Sequence, residues 1–541
     1  MQSLAASTGR VVRDTIAAAE AITVECFSRA SDCGMSTLVD IANTAGRAFT
    51  ATLTREEQRA MGQFMTPPAV ARFMAQRLVA TATQTTARVL EPAAGGGILA
   101  AAVVEALLAK PATERPRRIE LLMYELEPRL LAGLETLCQQ MRLTCEQYGV
   151  EFDYLIRNED FLLSELALRA EPLPGLVTIA NPPFLKLNKS TDPRAALHAY
   201  AVHGQPNIYA LFMAATARLT PPDGSWCFIT PRSWMAGAYF KAARRALLQH
   251  LTIDRLHAFE SRTEGFEEDA VLQETVIAWG HGRALLDAGA NIVVTRSQGA
   301  GDLATAGVQA LPVARVVSDD EHAMFSLPAH DVDPFEGWRA TLKTYGFEVS
   351  TGPVVAFRAA EHIREAGETN TVPLLWLQHI RQQQIAWPVR KKREHIVASA
   401  ESAWMLVPNA PMVVMRRFSP KEDERRVTCA AYLGQFPGPV IGLENHLNYI
   451  YRRDGTMTMN EARGISAFLA SHTVDAHFRA LAGSTQINAT ELRKLPLPPL
   501  DVLVEIGERV GDNPTLATID RVVTEALEVH VELQPAVAGG E

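Results

Sequence analysis

The chain has no apolar run approaching the roughly 20 residues that a membrane-spanning helix needs. Residues 1–13 also lack the apolar stretch of a secretory signal, so a cytoplasmic location is expected. Cysteine is scarce, and Cys26, Cys33, Cys138, Cys145, Cys227 and Cys429 show no CxxC spacing. That excludes a zinc site and a disulfide framework and leaves the cysteines as buried apolar fillers. Positive charge is in deficit, with a formal net charge of −9. A protein that coats a polyanion indiscriminately is thereby excluded, and any bound polyanion has to meet local basic patches. No Lys-Ser/Thr pair follows the glycines at 95–97, which removes a nucleotide-phosphate loop. Neither an internal repeat nor an Asp, Glu-x-Lys nuclease constellation is found, so cleavage of a nucleic acid by this chain is not expected.

What is present suffices for two or three domains, since the 541 residues are 47% apolar. Helical spacing marks residues 1–60, through Val12, Ile16, Ala19 and Ile22 and again through Leu38, Ile41, Ala42 and Ala45. Strands and helices alternate from 61 to 285, the pattern of a doubly wound α/β domain. A stretch at 286–345 with strand-like pieces at Asn291–Thr295 and Val313–Val317 reads as a join, and 346–541 mixes short strands with helices.

Four segments in the α/β domain carry chemistry. The first, Arg88-Val89-Leu90-Glu91-Pro92-Ala93-Ala94-Gly95-Gly96-Gly97, is a strand ending on an acid, then a small-residue loop before a helix. Gly95, Gly97 and Ala100 satisfy GxGxxA, so a dinucleotide-dependent oxidoreductase is one reading. The acid of Glu91-Pro92 favours another, because it would repel a pyrophosphate and attract an ammonium. S-adenosylmethionine (SAM), with its amino-acid group and sulfonium, answers to that. The second strand ends at Glu125, where a ribose diol could donate to a carboxylate, a device shared with NAD sites. Next, Asp160-Phe161 offers an acceptor for an adenine amine and a ring to lie against it. Finally the apolar run 175–180 delivers Asn181-Pro182-Pro183-Phe184. Proline has no N–H, so the turn presents carbonyls that no local donor claims, and a planar ligand with an exocyclic amine would donate to Asn181 and to the Pro182 carbonyl while Phe184 covers its face. Upstream, Thr66-Pro67-Pro68 resembles a helix start, with Thr66 as N-cap and N–H groups suited to a carboxylate. Each piece alone also fits an ordinary turn or core aromatic; together they are successive strand ends, the edge where open α/β sheets bind ligands.

In this order the segments resemble the amino-methylating DNA methyltransferases, adenine-N6 enzymes of the gamma arrangement: cofactor motifs, catalytic motif, then a target-recognition region. Val349–Val355, Glu444-Asn445-His446-Leu447-Asn448-Tyr449 and Gly483–Ala489 are similar to the recognition half of modification methylases of the PstI/BsuBI kind. Two departures are Ala94, where Cys or Ser is common, and Phe184, where Tyr is common. The resemblance implies a Rossmann-like class I SAM-dependent fold. Thr66, Glu91, Pro92, Ala93, Gly95, Gly97, Glu125, Asp160 and Phe161 would serve the cofactor, and Asn181, Pro182, Pro183 and Phe184 a flipped adenine of double-stranded DNA. It further implies a restriction-modification setting, with a nuclease encoded separately and a monomer or weak dimer. Methylation of RNA or of protein amides is the alternative within the fold, and a recognition subunit without catalysis is a third.

Basic residues gather in the last third despite the acidic total: Arg390-Lys391-Lys392-Arg393, Arg416-Arg417, Arg425-Arg426 and Arg452-Arg453. Near them Trp376, His379, Gln382, Gln383, Gln384 and Trp387 offer aromatic surface and base-edge donors and acceptors. The clusters at 390–393 and 416–417 are the candidates for contact with DNA.

Overall fold

The computed structural model describes residues 37–533 apart from 55, 59–61, 63–64, 81–83, 261–273, 284–290, 329–334, 336, 367, 382, 390–392, 419–422, 482–486 and 488. The helix expected over Val12–Ile22, Cys26, Cys33, Gln382, Arg390, Lys391 and Lys392, and the Gly483–Ala489 segment apart from Ile487 and Ala489, therefore lie outside the described residues. Two units emerge, Met1–Leu327 and Pro328–Glu541.

The first unit is built on a nine-stranded sheet. Its strands are β1 (Thr86–Glu91), β2 (Arg118–Tyr124), β3 (Glu151–Arg157), β4 (Leu176–Ala180), β5 (Ser225–Pro231), β6 (Leu251–Phe259), β7 (Thr275–Gly282), β8 (Asn291–Ser297) and β9 (Gly307–Pro312), in the order β3-β2-β1-β4-β5-β7-β6-β8-β9. The first five are parallel neighbours, and β7 runs antiparallel between β5 and β6. β4 and β5 are buried at every position, as strands covered on both faces must be, which is why they read as unbroken apolar runs. Helices cover both faces, among them α1 (Leu38–Ala51), α2 (Pro68–Leu78), α3 (Ile98–Leu108), α4 (Leu131–Gln147) and α5 (Ile208–Leu219). They divide the core into two apolar clusters, one packing α1, α2, α3 and α4 and the other packing α5.

The join expected at 286–345 is not one. β8 pairs in parallel with β6, and β9 pairs antiparallel with β8, so both extend the sheet, and the division falls after Leu327. The reason is burial: Ile292, Val294 and Leu311 pack into the second cluster, which local composition does not reveal. Val313–Val316 is a helical turn, not a strand. The helix read from Leu38 to Ala45 is present, starts on a capping box between Thr37 and Asp40, and packs into the first unit's core, so this helix is not separate from the α/β domain.

The second unit contains a four-stranded antiparallel sheet of Phe347–Thr351, Leu447–Arg452, Pro411–Arg416 and Cys429–Leu433, in that spatial order. A five-stranded mixed sheet, a two-stranded pair of Ile380–Arg381 with Gln384–Ile385, and the C-terminal helices accompany it, Met459–Ala470 packing on Leu500–Val510. Cys138, Cys145, Cys227 and Cys429 are buried and unpaired.

Candidate active site

Chain order runs outward from β1 through β2 to β3 on one side and from β4 to β5 on the other, so β1 and β4 meet at the point where direction reverses. Crevices form there because the connections leave the two strands on opposite faces. A cavity of about 420 Å³ opens at these strand ends, within the size of small-molecule sites. Its wall contains Glu91, Pro92, Ala93 and Gly95 after β1, Glu125 after β2, Asp160 and Phe161 after β3, and Asn181 and Pro183 after β4, with Thr66 opposite.

Glu91 is buried, and its carboxylate accepts from the Ala100 N–H at 3.0 Å, capping the first turn of α3 from outside the helix. Burial pushes its carboxyl well above the usual carboxylate range, against the pull of that hydrogen bond. Glu125 is also buried and holds two backbone donors, Gly95 N–H at 2.6 Å and Glu127 N–H at 2.7 Å. Burial raises its carboxyl to about 7, those N–H groups opposing and Glu127 adding to the rise. The acid at the end of β2 thus fixes the glycine loop after β1 and still has lone pairs directed at the cavity. Gly97 does not reach the cavity wall. It is the N-cap of α3 at φ 76°, and a side chain there would fall 2.7 Å from Leu137.

Asp160 divides its oxygens. One accepts from the Leu162 N–H at 2.9 Å and caps the turn Phe161–Leu163; the other faces Arg194 at 3.3 Å. Phe161 is buried between Tyr124, edge-on at 5.2 Å, and Phe212, stacked at 5.6 Å. Arg194, Ile208 and Phe212 belong to the wall and escaped the sequence reading. The Asp192-Pro193 helix start announces Arg194 only weakly, since its pairing with Asp160 spans 34 residues.

Thr66 differs from expectation. Pro67 is the N-cap of α2, without a side-chain cap, and the buried Thr66 hydroxyl instead accepts from Asn181 Nδ2 at 3.0 Å. Two consecutive prolines make the difference: they set the helix entry themselves, so Thr66 is displaced one residue outward and turned to the sheet edge. The bond commits the NH₂ end of the Asn181 amide and thereby orients the carbonyl end. Pro182 and Phe184 stand outside the cavity wall. Phe184 is half-buried, edge-on to Tyr209 at 6.0 Å, and the Tyr209 hydroxyl bonds Ser233 at 2.8 Å.

Among the described wall residues are five acids, Glu91, Glu125, Glu127, Glu159 and Asp160, against the single base Arg194, which also pairs with Asp192. Burial favours the neutral forms of Glu91 and Glu125, but Arg194 already pairs with Asp160 and Asp192, so the described wall leaves no unengaged cation for a pyrophosphate. A doubly wound sheet with an antiparallel seventh strand, a glycine loop after β1 and an acid closing β2 define a class I SAM-dependent methyltransferase.

Comparison with known proteins narrows the class. The chain is 31% identical over 469 residues to the type II methyltransferase M.BsuBI of Bacillus subtilis, covering 84% of this chain and 90% of that protein. It is 26% identical over 502 residues to M.PstI of Providencia stuartii, covering 90% and 97%. Residues 177–266 match the family described as Eco57I restriction-modification methylase. A cryo-electron-microscopy structure of a DrdV–DNA complex aligns with 87% of this chain and 59% of its own at 13% identity and a TM-score of 0.48. The chain belongs to the type II methyltransferases of restriction-modification systems.

In the second unit the expected DNA-reading side chains are largely internal. His379 is buried, accepting from the Trp376 N–H at 2.8 Å and facing Glu394 at 3.0 Å. Trp376 donates its indole N–H to the Arg393 carbonyl, and Gln383 donates to the Cys429 carbonyl at 2.9 Å. These three hold the fold, because a short strand and a turn draw them beneath the surface. Arg416 donates to the Ile380 carbonyl at 2.7 Å and Arg417 to the Asn445 carbonyl at 2.8 Å, which commits part of each guanidinium. Arg393 is exposed.

Proposed function

We propose that the protein transfers the SAM methyl group to the N6 amine of an adenine flipped out of double-stranded DNA, as the modification half of a restriction-modification pair. The observation that carries the reading is that Asn181, its amide oriented by Thr66, lines the same cavity as the Glu91–Gly96 loop. Glu125 would hold the ribose, Asp160 the adenine amine of the cofactor, and Phe161 with Ile208 and Phe212 its apolar ring surface. SAM supplies a methyl group activated on a sulfonium.

An exocyclic amine is a poor nucleophile because its lone pair is delocalised into the ring. Asn181 Oδ1 and the Pro182 carbonyl would accept its two N–H groups and hold its lone pair toward the cavity, so that positioning and charge stabilisation replace a strong base. Phe184, outside the cavity wall and braced by Tyr209, would stack on the extruded base. Arg390, Lys391, Lys392 and Arg393, with the remaining donors of Arg416 and Arg417, would meet phosphates. The reading implies a cytoplasmic enzyme acting as a monomer or weak dimer, and a separate nuclease of the same sequence specificity.

The test is incubation of unmodified duplex DNA with the protein and methyl-labelled SAM, then digestion to nucleosides. Labelled N6-methyladenine is expected from the wild type and none from Asn181→Ala, with SAM affinity nearly intact. Label in a cytosine, in RNA alone or in protein would overturn the assignment.

A further inference from the structure

The recognition-half segments that the sequence singled out meet at one turn, Glu444–His446, which no step of the proposed chemistry uses. Its backbone is fastened on several sides. Glu444 N–H donates to Leu375 at 3.0 Å, Asn445 N–H to Val354 at 2.9 Å, and Arg417 clamps it twice, through its N–H on the His446 carbonyl (2.9 Å) and its guanidinium on the Asn445 carbonyl (2.8 Å). Val354 and Gly352 dock in return on Leu443 at 3.0 Å and Leu447 at 2.8 Å. Only glycine fits at 352, where a Cβ would lie 2.3 Å from the Glu444 carbonyl oxygen. The third segment joins through Ile487, whose N–H donates to Arg417 at 3.1 Å and whose carbonyl accepts from Asn448 at 3.3 Å.

This fixed turn buries a carboxylate and exposes an imidazole. The Glu444 side chain is 2% exposed and the His446 side chain 51%. One carboxylate oxygen accepts from the His446 N–H at 3.0 Å; the other lies 2.6 Å from His446 Nδ1, and Phe418 stands 5.4 Å from the ring. Donation from Nδ1 to the carboxylate fixes Nε2 as the outward edge, for which the described residues offer no hydrogen-bond partner. Capping the turn needs only the backbone bond to Glu444; the second bond orients a side chain that half faces solvent.

We propose that His446 reads a base edge in the DNA recognition sequence, with Glu444 as its positioning residue. A phosphate is the poorer match, since phosphate contacts need charge more than a fixed ring plane. Base readout needs that fixed orientation. The inference rests on the reading of the protein as a DNA methyltransferase.

The test uses the full chain, expressed with host DNA and followed by sequencing that detects methylated bases. His446→Ala and His446→Phe are expected to relax the modified sequence at one base-pair position, with discrimination there falling about tenfold, near the lower range for one mismatched pair. Glu444→Gln is expected to relax the same position less, and SAM affinity to stay unchanged in all three. A modified sequence identical to wild type, whether at full rate or uniformly slower on every site, would overturn the proposal. Absence of methylated DNA with the wild type would instead bring down the functional reading on which it stands.

Discussion

Glu125 is where the structure makes a quantitative demand. Its carboxyl is carried from an ordinary 4.5 to about 7, mainly by burial. Below about pH 4.5 the group is protonated in both folded and unfolded chains, and its contribution to stability is fully present. Between 4.5 and 7 the unfolded chain ionises while the folded one keeps its proton, so stability falls as pH rises; above 7 both are ionised and the loss is complete. At about 1.4 kcal/mol per pH unit the loss amounts to roughly 3 kcal/mol. Glu125→Gln should remove that slope. The amide keeps one acceptor and turns a donor toward the other N–H, so the variant starts less stable by about 1–3 kcal/mol at low pH but flatter above it. Denaturant unfolding of the ligand-free protein from pH 4.5 to 8 measures both curves. Parallel curves for wild type and variant would refute the buried, proton-holding Glu125. Ligand hydroxyls donating to this carboxylate favour its ionised form, so SAM should also bind more weakly at pH 6 than at pH 8, and calorimetry at both reads the sign.

Thr66→Val removes the acceptor that orients Asn181 while keeping shape; kcat should fall about two- to tenfold, from one net hydrogen bond of roughly 1 kcal/mol, with Thr66→Ser restoring it and KM for SAM little changed. An unaltered kcat in Thr66→Val would show that the bond does not matter to transfer. Phe184→Ala should slow methylation of paired targets more than of mismatched ones, which need less help to leave the helix, and equal losses would contradict stacking. Reversing charge at Lys391 and Lys392 should weaken binding to all duplexes alike and lower the log–log salt slope by about 2, measured by fluorescence anisotropy at several salt concentrations; loss on only one sequence would argue for base contact instead.

Much of the cavity lining was legible because these residues follow strand ends, and strands with their glycine or proline turns are local signals. Glu91, Glu125, Asp160 and Asn181 could be named before any fold was known. Less legible was what each side chain bonds to. Thr66 looked like a helix cap and holds Asn181 across 115 residues, while Glu91 caps α3 and Glu125 fastens the glycine loop. The second unit was harder still. Trp376, His379 and Gln383 have the polar and aromatic character of a reading surface, yet short strands and turns bury them, and burial is not written in residue type.

Sequence alone determined the order of the strand-end motifs, the absence of a phosphate loop, and the turn in which a proline leaves a carbonyl unclaimed. These depend on covalent geometry and on neighbours a few residues away. Tertiary structure decided that β8 and β9 belong to the sheet, that among the described residues five acids and one arginine share a cavity wall, and that a buried glutamate aims an exposed histidine. Each of those turns on which distant groups lose water together, and desolvation is a property of the packed chain, not of any segment of it.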